Sequence, residues 1–269
     1  MQASISLNAH IKPLFSLPLI LLSCVLLFSG CASHDDQASP KVFVSSSNVM
    51  ADVDAAISRA QNNNTLLLIA IGAQWCHDSR GLASTFAQAD MAGVLKQYYE
   101  VLYIDAGYYK DLRPVSQRFG LANYYATPTV MIIDPKTQQL INANDMAMWG
   151  SADSVELDTY IDYFTAYGKG ERGSSLLTQN MSEANIALIK DFETKQAERL
   201  QYAYGMLVPG MLREDLRGET TEEFTKLWFE VRNYRMQLQN DIKSLYEQAQ
   251  LSPEKKVKVP NYPAFSWEQ

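Results

Sequence analysis

The stretch Thr65-Leu66-Leu67-Leu68-Ile69-Ala70-Ile71-Gly72-Ala73-Gln74-Trp75-Cys76-His77-Asp78-Ser79 decides how this chain is read. Its first seven residues form an unbroken apolar run of strand length, as a central strand covered on both faces requires. Gly72 and Ala73 turn the chain. Trp75 to Ser79 then open a helix that continues through Phe86 to Ala89.

On the N-terminal side, Val49, Val53, Ala56, Ile57 and Ala60 recur at helical spacing, and Asn62-Asn63-Asn64 end that helix. Before it, Val42 to Val44 form a short β-prone run. On the C-terminal side, Val101 to Ile104 predict a strand ending at Asp105, and Asp111 to Phe119 a helix stopped by Gly120. Thr129 to Ile133 predict a strand, Asp134-Pro135-Lys136-Thr137 a turn, and Gln139 to Ile141 the returning strand of a hairpin. Ser151 or Asp153 is placed to cap a helix through Val155, Leu157, Tyr160, Ile161 and Phe164, ended by Gly168. The order β-α-β-α-β-α-β-β-α predicts an α/β fold with a central mixed sheet flanked by helices.

That order, with Trp75-Cys76-His77-Asp78-Ser79 after the central strand and Thr127-Pro128-Thr129 before a later one, resembles the thioredoxin superfamily. Gln117-Arg118-Phe119-Gly120 are similar to the helix end that leads into its cis-proline loop, and the resemblance covers residues 42–168. It implies a thioredoxin-like fold with Cys76 at a helix N-terminus, where unpaired N–H groups and the helix dipole favour a thiolate. It also implies that Trp75 shields one side of the sulfur. A cis Thr127-Pro128 peptide would then hold an extended substrate like an added strand. Protonated His77 adds to the pull on a thiolate, whereas Asp78 opposes it and also suits a first-turn acid.

Two positions depart from the dithiol pattern. Ser79 stands where thioredoxins carry the resolving Cys, and Ala70 where they carry a buried acid. A mixed disulfide on Cys76 must therefore await an external thiol. What remains is single-thiol work in cell redox homeostasis: isomerising a disulfide, exchanging with a small thiol, or holding a client as a mixed disulfide. The candidate catalytic residues are Trp75, Cys76, Ser79 and Pro128, and Ser79 is read either as a helix-start residue or as a partner for the thiolate. Tyr124 and Tyr125 lie in a connection a few residues longer than is usual for thioredoxins. They are expected to border the substrate groove with His77, Asp78 and Thr127, with core packing as the other reading. Should Cys76 be inert, the chain becomes a non-catalytic binding or chaperone module whose helical extension contacts a partner.

Residues 1–30 read as an address. Lys12 and His10 precede an apolar run from Leu14 to Phe28, which has the form of a signal-peptide core. Leu27-Phe28-Ser29-Gly30-Cys31 resembles the lipobox of bacterial lipoproteins, which implies lipidation of Cys31 and anchorage in the cell envelope, on the periplasmic face of the outer membrane. A plain secretory signal or an uncleaved anchor is the alternative. Residues 31–41 are the lipidated Cys and a polar tether. With Cys24 in the signal and Cys31 lipidated, Cys76 is the one free thiol and no internal disulfide forms.

Of the 269 residues, 47% are hydrophobic and 20% charged, which suits a globular protein. Thirty acidic against 23 basic side chains give a net charge of -7 at pH 7, which argues against a nucleic-acid partner. Three Cys and three His leave little room for a structural zinc site, no two Cys sit at a metal-ligand spacing, and nothing calls for a cofactor. Residues 169–250 form an α-helical C-terminal extension. Its first helix runs from Ser182 to Tyr204 and its second begins at Thr220, whose pairing with Glu223 resembles a capping box. Phe224, Leu227, Val231, Tyr234, Leu238, Ile242 and Leu245 then form an apolar stripe. That stripe buries against the thioredoxin-like domain or the neighbouring helix, or else forms a homodimer interface. Tyr202 to Leu216, with Pro209, reads as a hinge or contact loop, and residues 251–269 as a mobile or loosely docked tail. The partners this implies are exported proteins carrying thiols or disulfides, or small thiols, with the membrane held through lipid on Cys31.

Overall fold

The computed structural model of the protein describes residues 40–173 and 179–269; Cys24, Cys31, the apolar run before them and most of the tether lie outside the described residues. The apolar run becomes β1 (Leu66–Gly72), in the middle of a four-stranded sheet of order β2-β1-β3-β4. Its neighbours are β2 (Tyr99–Asp105) and β3 (Thr129–Asp134), with β4 (Gln139–Leu140) at the edge. Ala70 lies beside Tyr103 in the parallel β1–β2 pairing and beside Val130 in the antiparallel β1–β3 pairing. Leu67 to Ile71 have no exposed surface. Because side chains alternate along a strand, Leu67, Ile69 and Ile71 enter one core while Leu68 and Ala70 enter the other.

Helices cover both faces. α1 (Val49–Asn63) is capped by Asn48, whose side chain accepts from the Ala51 N–H. It stops at Asn64, which takes the left-handed conformation (φ 51°) that Asn tolerates. α2 (His77–Phe86) follows β1, and α4 (Arg113–Arg118) precedes β3. α5 (Leu157–Gly168) buries Tyr160, Tyr163, Phe164 and Tyr167.

Several local expectations are corrected. Val42 to Val44 form no strand: Phe43 is buried, its ring edge-on to Tyr103 at 5.5 Å, and Val42 is half-buried against the same core, while Val44 is left 66% exposed. Side-chain burial alone does not make a strand without a neighbour to pair with. The helix after Cys76 ends at Phe86, and a separate α3 (Ala89–Tyr98), burying Met91 and Leu95, leads directly into β2. Neither Ser151 nor Asp153 caps α5, whose N-cap is Glu156. Both lie in a 3-10 segment, Met146–Ser154, kinked at Ser151, and the Asp153 N–H donates to the Asp78 carboxylate at 3.3 Å.

The C-terminal part is two long helices, α6 (Glu183–Arg217) and α7 (Glu222–Leu251). α6 runs straight through the segment expected to be a hinge. Pro209 is exposed, so the Gly205 carbonyl it leaves without an intrahelical donor is on a solvated face. The N-cap of α7 is Thr221 rather than Thr220; its Oγ1 accepts from the Phe224 N–H at 3.2 Å, which puts Glu223 one place out of capping-box register. Val231, Tyr234, Leu238, Ile242 and Leu245 of the stripe are buried within the chain, in the same core as α6 and one face of the sheet.

The segment expected to be loose is docked. Val257 and Trp267 are buried, Phe265 stacks on Trp267 at 4.3 Å, and Asn185 bonds both the Lys255 carbonyl and the Val257 N–H. Arg199 of α6 grips the Glu268 carboxylate and the Pro263 carbonyl. No helix among the described residues is long and apolar enough to cross a membrane.

Glu193 of α6 is 8% exposed and accepts a hydrogen bond from the Tyr246 hydroxyl at 3.1 Å. Burial pushes its carboxyl up from 4.5 to about 7, against that hydrogen bond and Lys190, which lower it. The folded chain thus binds this proton more tightly than the unfolded chain, and stability falls as pH rises from about 4.5 through about 7. Glu193→Gln keeps the volume and an acceptor without the charge. Its melting temperature relative to the parent should therefore climb between pH 5 and pH 8, by the equivalent of a few kcal/mol, on the order of what such a shift represents. A difference that stays flat across that range in thermal melts would show the carboxyl to be unperturbed.

Candidate active site around Cys76

β1 ends at Gly72, and a tight turn closed by the Cys76 N–H on the Ala73 carbonyl (3.1 Å) delivers Cys76 as the N-cap of α2. Cys76 is a partly exposed free thiol whose Sγ donates to the Thr127 carbonyl at 2.9 Å. The Thr127–Pro128 peptide is cis, and both residues are buried. Fold topology therefore brings together a cysteine and a proline that lie 51 and more residues apart in sequence. Trp75, just before Cys76, is tied to the loop after β2: its Nε1 donates to the Gly107 carbonyl at 2.6 Å, and its ring meets Tyr109 edge-on at 5.2 Å.

The other expected site residues separate. Ser79 is fully buried, and its Oγ accepts from the Ala73 N–H at 3.2 Å, so it pins the turn before Cys76. His77 is exposed, with Nε2 3.4 Å from the Asp153 carboxylate. Asp78, on the same turn, accepts from the Asp153 backbone. Tyr124 borders no groove, whereas Tyr125, though mostly buried, lines a cavity beside α7. Tyr124 has no exposed surface, donates to the Lys110 carbonyl at 2.9 Å and lies against Tyr204 of α6 at 5.5 Å. Tyr125 is 7% exposed, and burial drives its phenol well above the ordinary range, with Glu193 and Tyr246 adding to the effect. The returning helices cover both rings.

α7 supplies residues that the sequence reading missed. Trp228 lies 5.9 Å from the Trp75 ring and 6.2 Å from Tyr109. Arg235 is partly buried, donates from Nη1 to the Tyr109 hydroxyl at 3.2 Å, and stands over that ring at 5.8 Å. Burial alone would make Arg235 less basic. The Tyr109 and Tyr204 hydroxyls outweigh it, with Cys76 contributing, and hold the guanidinium above its ordinary value. Arg232 and Arg235 flank the buried Tyr234, and this pair of cations beside an apolar stripe was the available signal. Among the described residues no cluster of His, Cys, Asp and Glu is arranged to hold a metal ion.

A sheet of this order, a cysteine at the start of the helix that follows its central strand, and a cis-proline at the head of the antiparallel strand define a thioredoxin-like fold, here joined to a helical C-terminal region. No protein-family model matches the chain, and no curated protein matches it. Among solved structures it is similar to the disulphide isomerase from Xylella fastidiosa Temecula1, with 18% identity and a TM-score of 0.43 over 46% of this chain and 95% of that one.

The placement of Ser79 makes a structural role separable from a chemical one. Ser79→Ala leaves the buried Ala73 N–H unpaired and should cost about 1–3 kcal/mol in urea unfolding. The rate at which iodoacetamide modifies Cys76 in the folded chain should stay within about twofold of the parent. A large fall in that rate at unchanged stability would return Ser79 to the chemistry.

Proposed function

We propose that this chain is a single-thiol thiol–disulfide exchange protein of the cell envelope, with Cys76 as nucleophile and lipid on Cys31 as its membrane anchor. The observation that carries the reading is the 2.9 Å contact of the Cys76 thiol with the Thr127 carbonyl beside the cis Thr127–Pro128 peptide. Cys76 is also an N-cap whose side chain caps nothing, at the positive end of a ten-residue helix. A Cys76 thiolate and the Arg235 guanidinium attract one another, while Asp78 in the first turn works the other way. With Ser79 in place of a second thiol, an adduct on Cys76 is released by an external thiol. Candidate substrates are the thiols and disulfides of exported proteins, or small thiols.

One observation favours a non-catalytic binding module instead: Thr127 and Pro128 are buried, so the edge that would pair with an extended client is covered. Turnover separates the two readings. With full-length chain in detergent, exchange between 2-hydroxyethyl disulfide and excess small thiol should fall to background in Cys76→Ser. A parent rate no faster than background would support the binding module. Anchoring is checked separately by mass spectrometry of the N-terminal peptide, which should begin at Cys31 and carry lipid; an unmodified terminus would remove the anchor from the proposal.

A further inference from the structure

We infer that the disulfide served by Cys76 is small and anionic, with its carboxylate held by Arg232 and Arg235 of α7. The inference rests on Cys76 being the exchange nucleophile. A client strand needs an open edge along the cis-proline loop, and Thr127 and Pro128 there are buried. A cavity of about 150 Å³ lies between α7 and that loop, bounded by Asp78, Tyr125, Ala126 and Ser151 on one side and by Arg232 and Arg235 on the other. Pockets for drug-sized ligands run from roughly 300 Å³ upward. This one suits a fragment of amino-acid size. Two residues of its wall neighbour the thiol in sequence: Asp78 is two places after Cys76, and Ala126 adjoins Thr127, whose carbonyl receives the Cys76 thiol.

The charge of that cavity is unusual for a chain of net charge -7. Two guanidiniums face one carboxylate, and that carboxylate already accepts the Asp153 N–H. Among the described residues neither Arg232 nor Arg235 is paired with a carboxylate, as five of the other eight arginines are. Arg235 is fixed by the Tyr109 hydroxyl, and Arg232 is exposed. A planar fork held beside a second, free one is suited to clamping a carboxylate.

In the step this implies, Cys76 loses its thiol proton to solvent and attacks one sulfur of R–S–S–R. The Cys76–S–S–R bond forms as the R–S–S–R bond breaks, and the departing R–S⁻ takes up a proton. A second R–S⁻ attacks the mixed disulfide, restores R–S–S–R and frees Cys76, so the exchange carries no net oxidation.

The test uses full-length chain in detergent and three disulfides of similar size: 3,3′-dithiodipropionate (anionic), 2-hydroxyethyl disulfide (neutral) and cystamine (cationic). Second-order rates of Cys76 adduct formation are read by mass spectrometry, each divided by the rate for a free cysteine peptide. The anionic-to-neutral ratio should exceed one by about tenfold, the scale of one guanidinium acting on a unit charge a few ångströms away. Cystamine should be slowest, and added salt should shrink the spread. Arg232→Glu, at an exposed position, should pull the anionic-to-neutral ratio below one. Equal corrected rates for all three probes, or a ratio indifferent to Arg232→Glu, would overturn the anionic-substrate inference and leave exchange by Cys76 standing. Adducts that form only in urea would instead show the folded thiol closed, and both readings would fall.

Discussion

Tyr109 stacks on Tyr204 with 4.2 Å between ring centres and 13° between planes, and this contact ties the loop after β2 to the C-terminal helices. Tyr109 reaches it through a left-handed backbone, φ 58°, which costs a non-glycine residue roughly 1–2 kcal/mol. Trp75, Trp228 and the Arg235 guanidinium close around the same ring. Aromatic pairs contribute about 0.5–1.5 kcal/mol each beyond their buried area, so the three ring neighbours together offset the backbone cost. The ring is held where it both supports Trp75 and positions Arg235.

Everything at the sulfur follows from that seam. A bare thioredoxin-like sheet would leave its cis-proline loop open to an incoming strand; here the loop is covered while the thiol keeps partial access. Ala70 and its strand neighbours Tyr103 and Val130 place no charge beneath the site. Charged groups near the turn include Asp78 at the start of α2 and Arg235 on α7, an element added to the fold.

The parts of the fold legible in the sequence are those fixed by local patterns. An apolar run long enough to be buried on both faces gave β1, helical periodicity ending in three asparagines gave α1, and Thr127-Pro128-Thr129 marked the cis bond. The failures share a cause. Whether Val42 to Val44 pair, whether Pro209 breaks a helix, and whether Tyr124 and Tyr125 face solvent depend on surfaces supplied by distant residues. Lysines and prolines near residue 255 suggested a loose tail, yet Trp267 and Phe265 find a home only because α6 and α7 have already formed one. Ser79 was read beside Cys76 by family pattern, and its nearest partner proved to be the Ala73 backbone. Arg235 was passed over because an arginine next to a stripe is ordinarily solvated.

The cover over Cys76 also has a place in time. Roughly a hundred residues separate the end of β3 from Arg235, and at about 5–20 residues per second the sheet is complete several seconds before α7 emerges. A nascent chain therefore passes through an interval in which its thiol, its cis-proline loop and the Tyr109 ring stand uncovered. Ribosome-bound molecules in that interval are the form most open to stray oxidation and to capture by holding chaperones.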